Sequence, residues 1–130
     1  MTPMPIAGLG ARRTDMKRFE DLSVWQRAAD LAERIREERG LQRSGDGLRG
    51  QIRKAAASIA YNIAEGHGRA CDGDFHRFLS IAGGSCAEVQ AQLRMVYRGG
   101  FVTHDRFVTM LDEAIAIGFM IRNLQLRLSP

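Results

Sequence analysis

Residues 48–66, LRGQIRKAAASIAYNIAEG, carry apolar side chains three or four positions apart. Residues at those spacings share one face of a helix, so the segment predicts an amphipathic helix. Its apolar face consists of Leu48, Ile52, Ala55, Ala56, Ile59 and Ile63. Asp46 precedes this face and is the predicted N-cap, because its side chain can accept bonds from backbone N–H groups. Gly66 and Gly68 follow the face and can close the helix in the left-handed conformation.

Three more segments have the same helical period, and no segment of useful length alternates as a strand does. The first predicted helix spans residues 19–39. The third extends from its candidate caps, Asp72 or Asp74, to Gly99-Gly100, and the fourth from Thr103 or Asp105 to the C-terminus.

The connections between these four helices are short and contain glycine. Short loops force successive helices to pack antiparallel. The sequence therefore predicts an all-α protein, an antiparallel up-down-up-down four-helix bundle over residues 19–130. Residues 1–18 are predicted to form a flexible basic arm. Gly83-Gly84, inside the third helix, suggests that another backbone approaches there.

The composition is typical of a soluble globular protein with one core. The 130 residues are 45% hydrophobic and 26% charged, and 19 Lys and Arg against 15 Asp and Glu give a net charge of +4. These values exclude collagen-like, disordered and disulfide-rich classes. The positive charge is compatible with a polyanionic partner.

Two cysteines, Cys71 and Cys86, are too few for a disulfide framework, which favours reduced thiols in the cytoplasm. No signal-peptide pattern occurs, and no run of about 18 apolar residues predicts a membrane helix. None of His67, His76 and His104 follows a Glu by three positions, the spacing that a di-metal site in a bundle needs. We therefore expect no membrane partner, no metal and no cofactor.

A polar stripe follows the second helix beside its apolar face, and two residues of the third helix occupy the same flank. The stripe comprises Gln51, Ser58, Asn62 and Glu65, with Ser85 and Glu88 on the third helix. We expect these side chains to be half-buried and hydrogen-bonded to neighbouring helices or to a second subunit. Such rows more often specify helix register than carry chemistry, and no His or Cys joins this one.

Four segments carry a family pattern. They are FEDLSVWQ at residues 19–26, GLRGQIRKA at 47–55, SIAYNIAEG at 58–66, and FHRFLSIAGGS at 75–85 together with Glu88. On these segments the chain resembles the four-helix-bundle family of 23S ribosomal RNA intervening-sequence proteins. That family includes the accessory variability proteins of diversity-generating retroelements.

The resemblance implies a bundle that assembles as a homopentamer and has no enzymatic activity. For the retroelement relatives it implies binding to nucleic acid and reverse transcriptase. We therefore expect a homo-oligomer that binds RNA or a reverse-transcriptase-like RNA–protein machine. One alternative is a purely structural or protein-binding ring. The other is an unrecognised enzyme, which is disfavoured because the motifs of phosphate-binding loops, serine hydrolases and zinc peptidases are missing.

Positive charge concentrates on the arm and on the second helix, where it can contact phosphates. The candidate nucleic-acid-binding residues are Arg12, Arg13, Lys17, Arg18, Arg49, Arg53, Lys54 and Arg69. In a ring each patch is repeated, so individually weak phosphate contacts add up. The alternative for any one of these residues is a solvated side chain without a partner.

Overall fold

Each of the four amphipathic segments forms a long helix in the computed structural model, which describes residues 18–128. The helices are α1 (Ser23–Glu37), α2 (Asp46–His67), α3 (Asp72–Arg98) and α4 (His104–Arg127). Two short 3-10 segments, Phe19–Asp21 and Arg39–Ser44, precede α1 and α2. No strand occurs among the described residues, so the prediction of an all-α protein is confirmed.

The buried faces of the four helices meet in one hydrophobic core. Helices α1 and α3 each contact both α2 and α4. The largest fully buried side chains come from all four helices and include Leu31, Ile35, Ile52, Ile59, Phe75, Leu79, Met110 and Ile117. Burying one such side chain contributes about 1.5–3 kcal/mol, which is why the helical apolar period predicted these elements well. No helix within residues 18–128 has the length and apolar character to cross a bilayer.

The helix N-termini differ in part from the predicted caps. Thr103 caps α4, because its Oγ1 accepts a bond from the Arg106 N–H at 3.3 Å. The prediction that Asp46 caps α2 is wrong. Asp46 is the first helical residue, and the cap is Gly45 at a φ of 89°. The carboxylate of Asp46 instead pairs with Arg49 in the first turn.

The predicted caps of α3 are also wrong. Cys71 is the residue at the N-cap position, and Asp72 and Asp74 both lie in the first turn. Carboxylates in the first turn still favour the helix, because they face the positive end of its dipole. The Asp74 carboxylate accepts a bond from Arg77 Nε at 3.1 Å.

Gly66 and Gly68 do not close α2 in the left-handed conformation, so that prediction is wrong. Gly68 has a φ of −77°, and Gly66 is a buried helical residue. A Cβ at Gly66 would lie 2.7 Å from Phe78 Cβ and 2.9 Å from Phe75 Cδ1. Glycine is required there because α3 packs directly against α2.

Gly83-Gly84 has no such neighbour among residues 18–128. A Cβ at Gly83 would be 4.0 Å from Ile121 Cγ2, and one at Gly84 would meet nothing within 4 Å. The expected approach of another backbone is therefore wrong within the chain itself. The sequence is also compatible with a contact between Gly83-Gly84 and a second subunit.

Candidate nucleic-acid interface

Of the predicted basic arm, only Arg18 lies among the described residues; Arg12, Arg13 and Lys17 lie outside them. Arg18 is exposed, and its Nη2 is 2.6 Å from Glu20 Oε2. This bond holds the pKa of the Glu20 carboxyl below its ordinary value. The carboxylate therefore offsets the charge that Arg18 was expected to offer to a phosphate.

Two of the candidates on and after α2 are paired in the same way. Arg49 is bound to Asp46, one helical turn away. Arg69 lies 3.6 Å from Glu65 Oε2 and 3.9 Å from Asp74 Oδ2, and its guanidinium stacks over the Phe78 ring. Residues three or four apart on a helix are neighbours, so these carboxylates offset both arginines.

Arg53 and Lys54 have no carboxylate partner within residues 18–128. Arg53 Nη2 donates to the carbonyl oxygen of Arg36 at 2.8 Å, its Nε is buried, and no carboxylate of residues 18–128 pairs with its guanidinium group. Lys54 is exposed and pairs with no carboxylate of residues 18–128. These two cations are the members of the predicted α2 patch that remain available to a polyanion.

Beside Arg53 lies a groove between α1 and α2, the α1–α2 groove, with a volume of about 250 Å³. Its lining comprises Ala32, Glu33, Arg36, Arg53, Ala57 and Tyr61. Tyr61 is 73% exposed, although aromatic side chains usually bury much of their surface. Exposed aromatic rings beside arginines are the features on which single-stranded nucleic acids stack their bases. Tyr61 is not among the residues predicted from the sequence. The feature that points to it is its position two helical turns after the candidate Lys54.

Half of the polar stripe forms a hydrogen-bonded seam between α2 and α3. Ser58 Oγ and Ser85 Oγ are 2.9 Å apart. Asn62 Nδ2 donates to Ser58 O at 2.8 Å and to Ser58 Oγ at 2.9 Å. All three side chains are half-buried, as predicted. The bonds favour one register of the two helices, which is a structural role.

The other half of the stripe does not match the expected half-burial. Gln51, Glu65 and Glu88 are exposed in the single chain. Glu88 Oε2 accepts a 3.3 Å bond from Gln92 Nε2. Gln92 is only 8% exposed, and its Oε1 has no partner within residues 18–128.

The described residues contain no group of three or more His, Cys, Asp and Glu side chains arranged to hold a metal ion. The buried thiol of Cys86 donates to Ala114 O at 3.0 Å. Burial raises the pKa of this thiol, so the reactive thiolate is disfavoured. Cys86 is therefore a packing residue.

Comparison with known proteins gives a family and a fold. Residues 20–123 match the family model described as 23S rRNA-intervening sequence protein. A crystal structure from Bacteroides thetaiotaomicron, of a protein with unknown function from the S23 ribosomal protein family, superposes with a TM-score of 0.73 at 20% identity. The match covers 78% of this chain and 97% of that one. No curated protein matches the chain.

Proposed function

Because the chain belongs to the 23S rRNA-intervening sequence protein family, we propose that it is a non-enzymatic oligomer that binds RNA or an RNA–protein machine. The RNA contact in this proposal is the α2 surface that carries Arg53, Lys54 and Tyr61. Its partner is single-stranded RNA, whose phosphates meet the cations and whose bases stack on the tyrosine ring.

The observation that carries the proposal is the exposed Tyr61 ring in a groove whose rim bears two guanidinium groups. Arg36, on the α1 side, is 3.7 Å from Glu33 and 3.9 Å from Glu37, so both of its ion pairs are long. Long, exposed pairs contribute little and exchange readily for other partners. A phosphate can therefore displace them, which supports this groove as the place where a strand lies.

A finer architecture belongs to the proposal: successive helices run antiparallel, as in an up-down-up-down bundle. Two contacts support it for α2 and α3. Ser58 meets Ser85, whereas Gly66, further along α2, meets Phe75, which is earlier on α3. Later positions on α2 therefore contact earlier positions on α3, as they do between antiparallel helices.

Self-association is the second part of the proposal, with five subunits as the family resemblance implies. Exposed apolar side chains on α4 support it: Val108 is 36% exposed, and Phe119 and Leu126 are both 67% exposed. Their spacings of 11 and 7 residues put them on one face of the helix. Exposed apolar side chains aligned on one helix face are a feature of protein–protein contacts.

A cytoplasmic location is also part of the proposal. Cys71 is exposed and Cys86 is buried, and both are free thiols. Free thiols persist in a reducing compartment, which supports this location.

The RNA contact is tested by fluorescence anisotropy with a labelled single-stranded RNA of mixed sequence, titrated between about 50 and 200 mM salt. We expect weak sequence dependence and a steep loss of affinity with salt. The double variant Arg53→Gln/Lys54→Gln should flatten the salt slope by about one unit for each lost phosphate contact. The matched control, Arg127→Gln, removes an exposed charge near the C-terminal end of α4.

Tyr61→Leu separates stacking from charge. It should weaken binding by about 1–3 kcal/mol per stacked base without changing the salt slope, whereas Tyr61→Phe should bind as the wild type does. Absence of binding at about 50 mM salt would refute the RNA proposal and leave a structural or protein-binding ring.

A further inference from the structure

A second basic cavity, the end pocket, lies where the 3-10 segment Arg39–Ser44 meets the connection between α3 and α4. Its volume is about 410 Å³. Arg39 and Arg43 line it from the 3-10 segment, and Arg106 lines it from the first turn of α4. None of the three was a candidate from the sequence, because Arg106 is more than 60 positions away from the other two.

The three guanidinium groups retain donors for a ligand. The Arg39 side chain has no hydrogen bond or ion pair with the described residues. Arg43 Nη2 donates to the neutral carbonyl oxygen of Phe101 at 3.3 Å, which leaves its charge uncompensated. Arg106 Nη1 is 3.1 Å from Glu38 Oε1.

Among the described residues, Glu38 is the one carboxylate that lines the end pocket. Its side chain is 7% exposed and is bound to Arg106, so it orients that arginine. Three guanidinium groups against one carboxylate leave two positive charges in the pocket. In a concave site with an excess of one sign of charge, the electric field is concentrated on the ligand that enters.

Backbone packing brings together the two segments that carry the arginines. A Cβ at Gly40 would lie 1.7 Å from Phe101 O, so only glycine lets the 3-10 segment lie against the α3–α4 connection. This contact places the segment that carries Arg39 and Arg43 beside the connection that leads into α4 and Arg106. The N-terminal end of α4 lies at the same cavity and adds the positive end of its dipole to the arginines.

We propose that the end pocket binds a phosphate group with two negative charges, either inorganic phosphate or the terminal phosphate of a nucleic-acid strand. Guanidinium groups bind phosphate oxygens through paired N–H bonds, and several can share one phosphate. A terminal phosphate carries about −1.5 to −2 charges near pH 7, which balances the two uncompensated positive charges. A phosphate inside a strand carries a single charge and matches the pocket less well.

The test is isothermal titration calorimetry of the full chain with inorganic phosphate. Wild-type protein should bind one phosphate per chain, and Arg39→Gln and Arg43→Gln should each weaken binding by about 10- to 100-fold. Arg39→Lys keeps the charge but loses the paired donors, so its phosphate affinity should lie between those of the wild type and Arg39→Gln. Arg127→Gln, which removes the same charge near the far end of α4, should bind as the wild type does.

A second titration distinguishes the two sources of phosphate with one oligonucleotide in 5′-phosphorylated and 5′-hydroxyl forms. Tighter binding of the phosphorylated form, abolished by Arg43→Gln, assigns the pocket to strand ends; equal binding assigns it to the free ion. Absence of saturable phosphate binding, or equal weakening by Arg127→Gln, would overturn the proposal. The 5′-hydroxyl strand reports on the α2 contact alone, so either site can fail without the other.

Discussion

At the scale of single residues, glycines mark where the bundle is tightly packed and where it is open. Gly66 lies against Phe75 and Phe78, with no room for a methyl group. Gly84 has open space around it. The two residues are chemically identical and both helical, so their opposite environments give a matched pair of substitutions.

Gly66→Ala should lower the free energy of unfolding by about 1–3 kcal/mol, because the new Cβ forces α2 and α3 apart. Gly84→Ala should raise the stability of the single chain by about 0.5–1 kcal/mol, since alanine loses less backbone entropy in a helix. Urea denaturation followed by circular dichroism measures both. Wild-type stability in Gly66→Ala would contradict the close contact, and dissociation caused by Gly84→Ala would reveal a second subunit there.

At the scale of the elements, one ion pair joins α1 to α4. Arg27 Nε is 2.8 Å from Glu113 Oε1, and Arg27 Nη2 is 2.9 Å from Glu113 Oε2. The hydrogen bonds from Arg27 hold the pKa of the Glu113 carboxyl below its ordinary value of 4.5. A carboxyl with a lowered pKa in the folded state stabilises the fold above its unfolded-state pKa and loses that contribution as the pH falls through the folded value.

Glu113→Gln should therefore lower stability by about 0.5–1 kcal/mol at neutral pH, a modest amount because both side chains are partly exposed. The difference from the wild type should shrink as the pH falls below 4.5. Thermal melts across this pH range provide the measurement. Glu33→Gln is the control, because Glu33 forms only a 3.7 Å exposed pair. A difference that persists unchanged in acid would exclude ionisation as its cause.

At the scale of the whole molecule, the exposed apolar residues of α4 and the cations of α2 lie on different helices. The first are tested by oligomeric state and the second by RNA affinity. Phe119 and Leu126 remain mostly exposed in the single chain. Covering them with a second copy removes apolar surface from water, which favours association at about 25 cal/mol per Å². Arg53 and Lys54 belong to a different helix, so the proposed assembly and the proposed RNA contact can be perturbed independently.

Phe119→Ser should shift the protein toward monomer by about 1–2 kcal/mol per chain, since serine removes most of the apolar area. Light scattering at micromolar concentration measures the change, with Met95→Ser, which removes an exposed apolar side chain from α3, as the control. A wild-type monomer would refute self-association. A stable dimer or tetramer would retain it and refute the pentamer.

The helical period of LRGQIRKAAASIAYNIAEG and of the other three segments determined the all-α class, the helix positions and the core faces. That information is local, because each helix hides its own apolar stripe. Only the tertiary structure decided that Gly66 accommodates α3, that Arg27 pairs with Glu113, and that residues 39, 43 and 106 share a cavity. These outcomes depend on which groups from distant positions meet, because steric room and ion pairing between helices exist only where such groups come together.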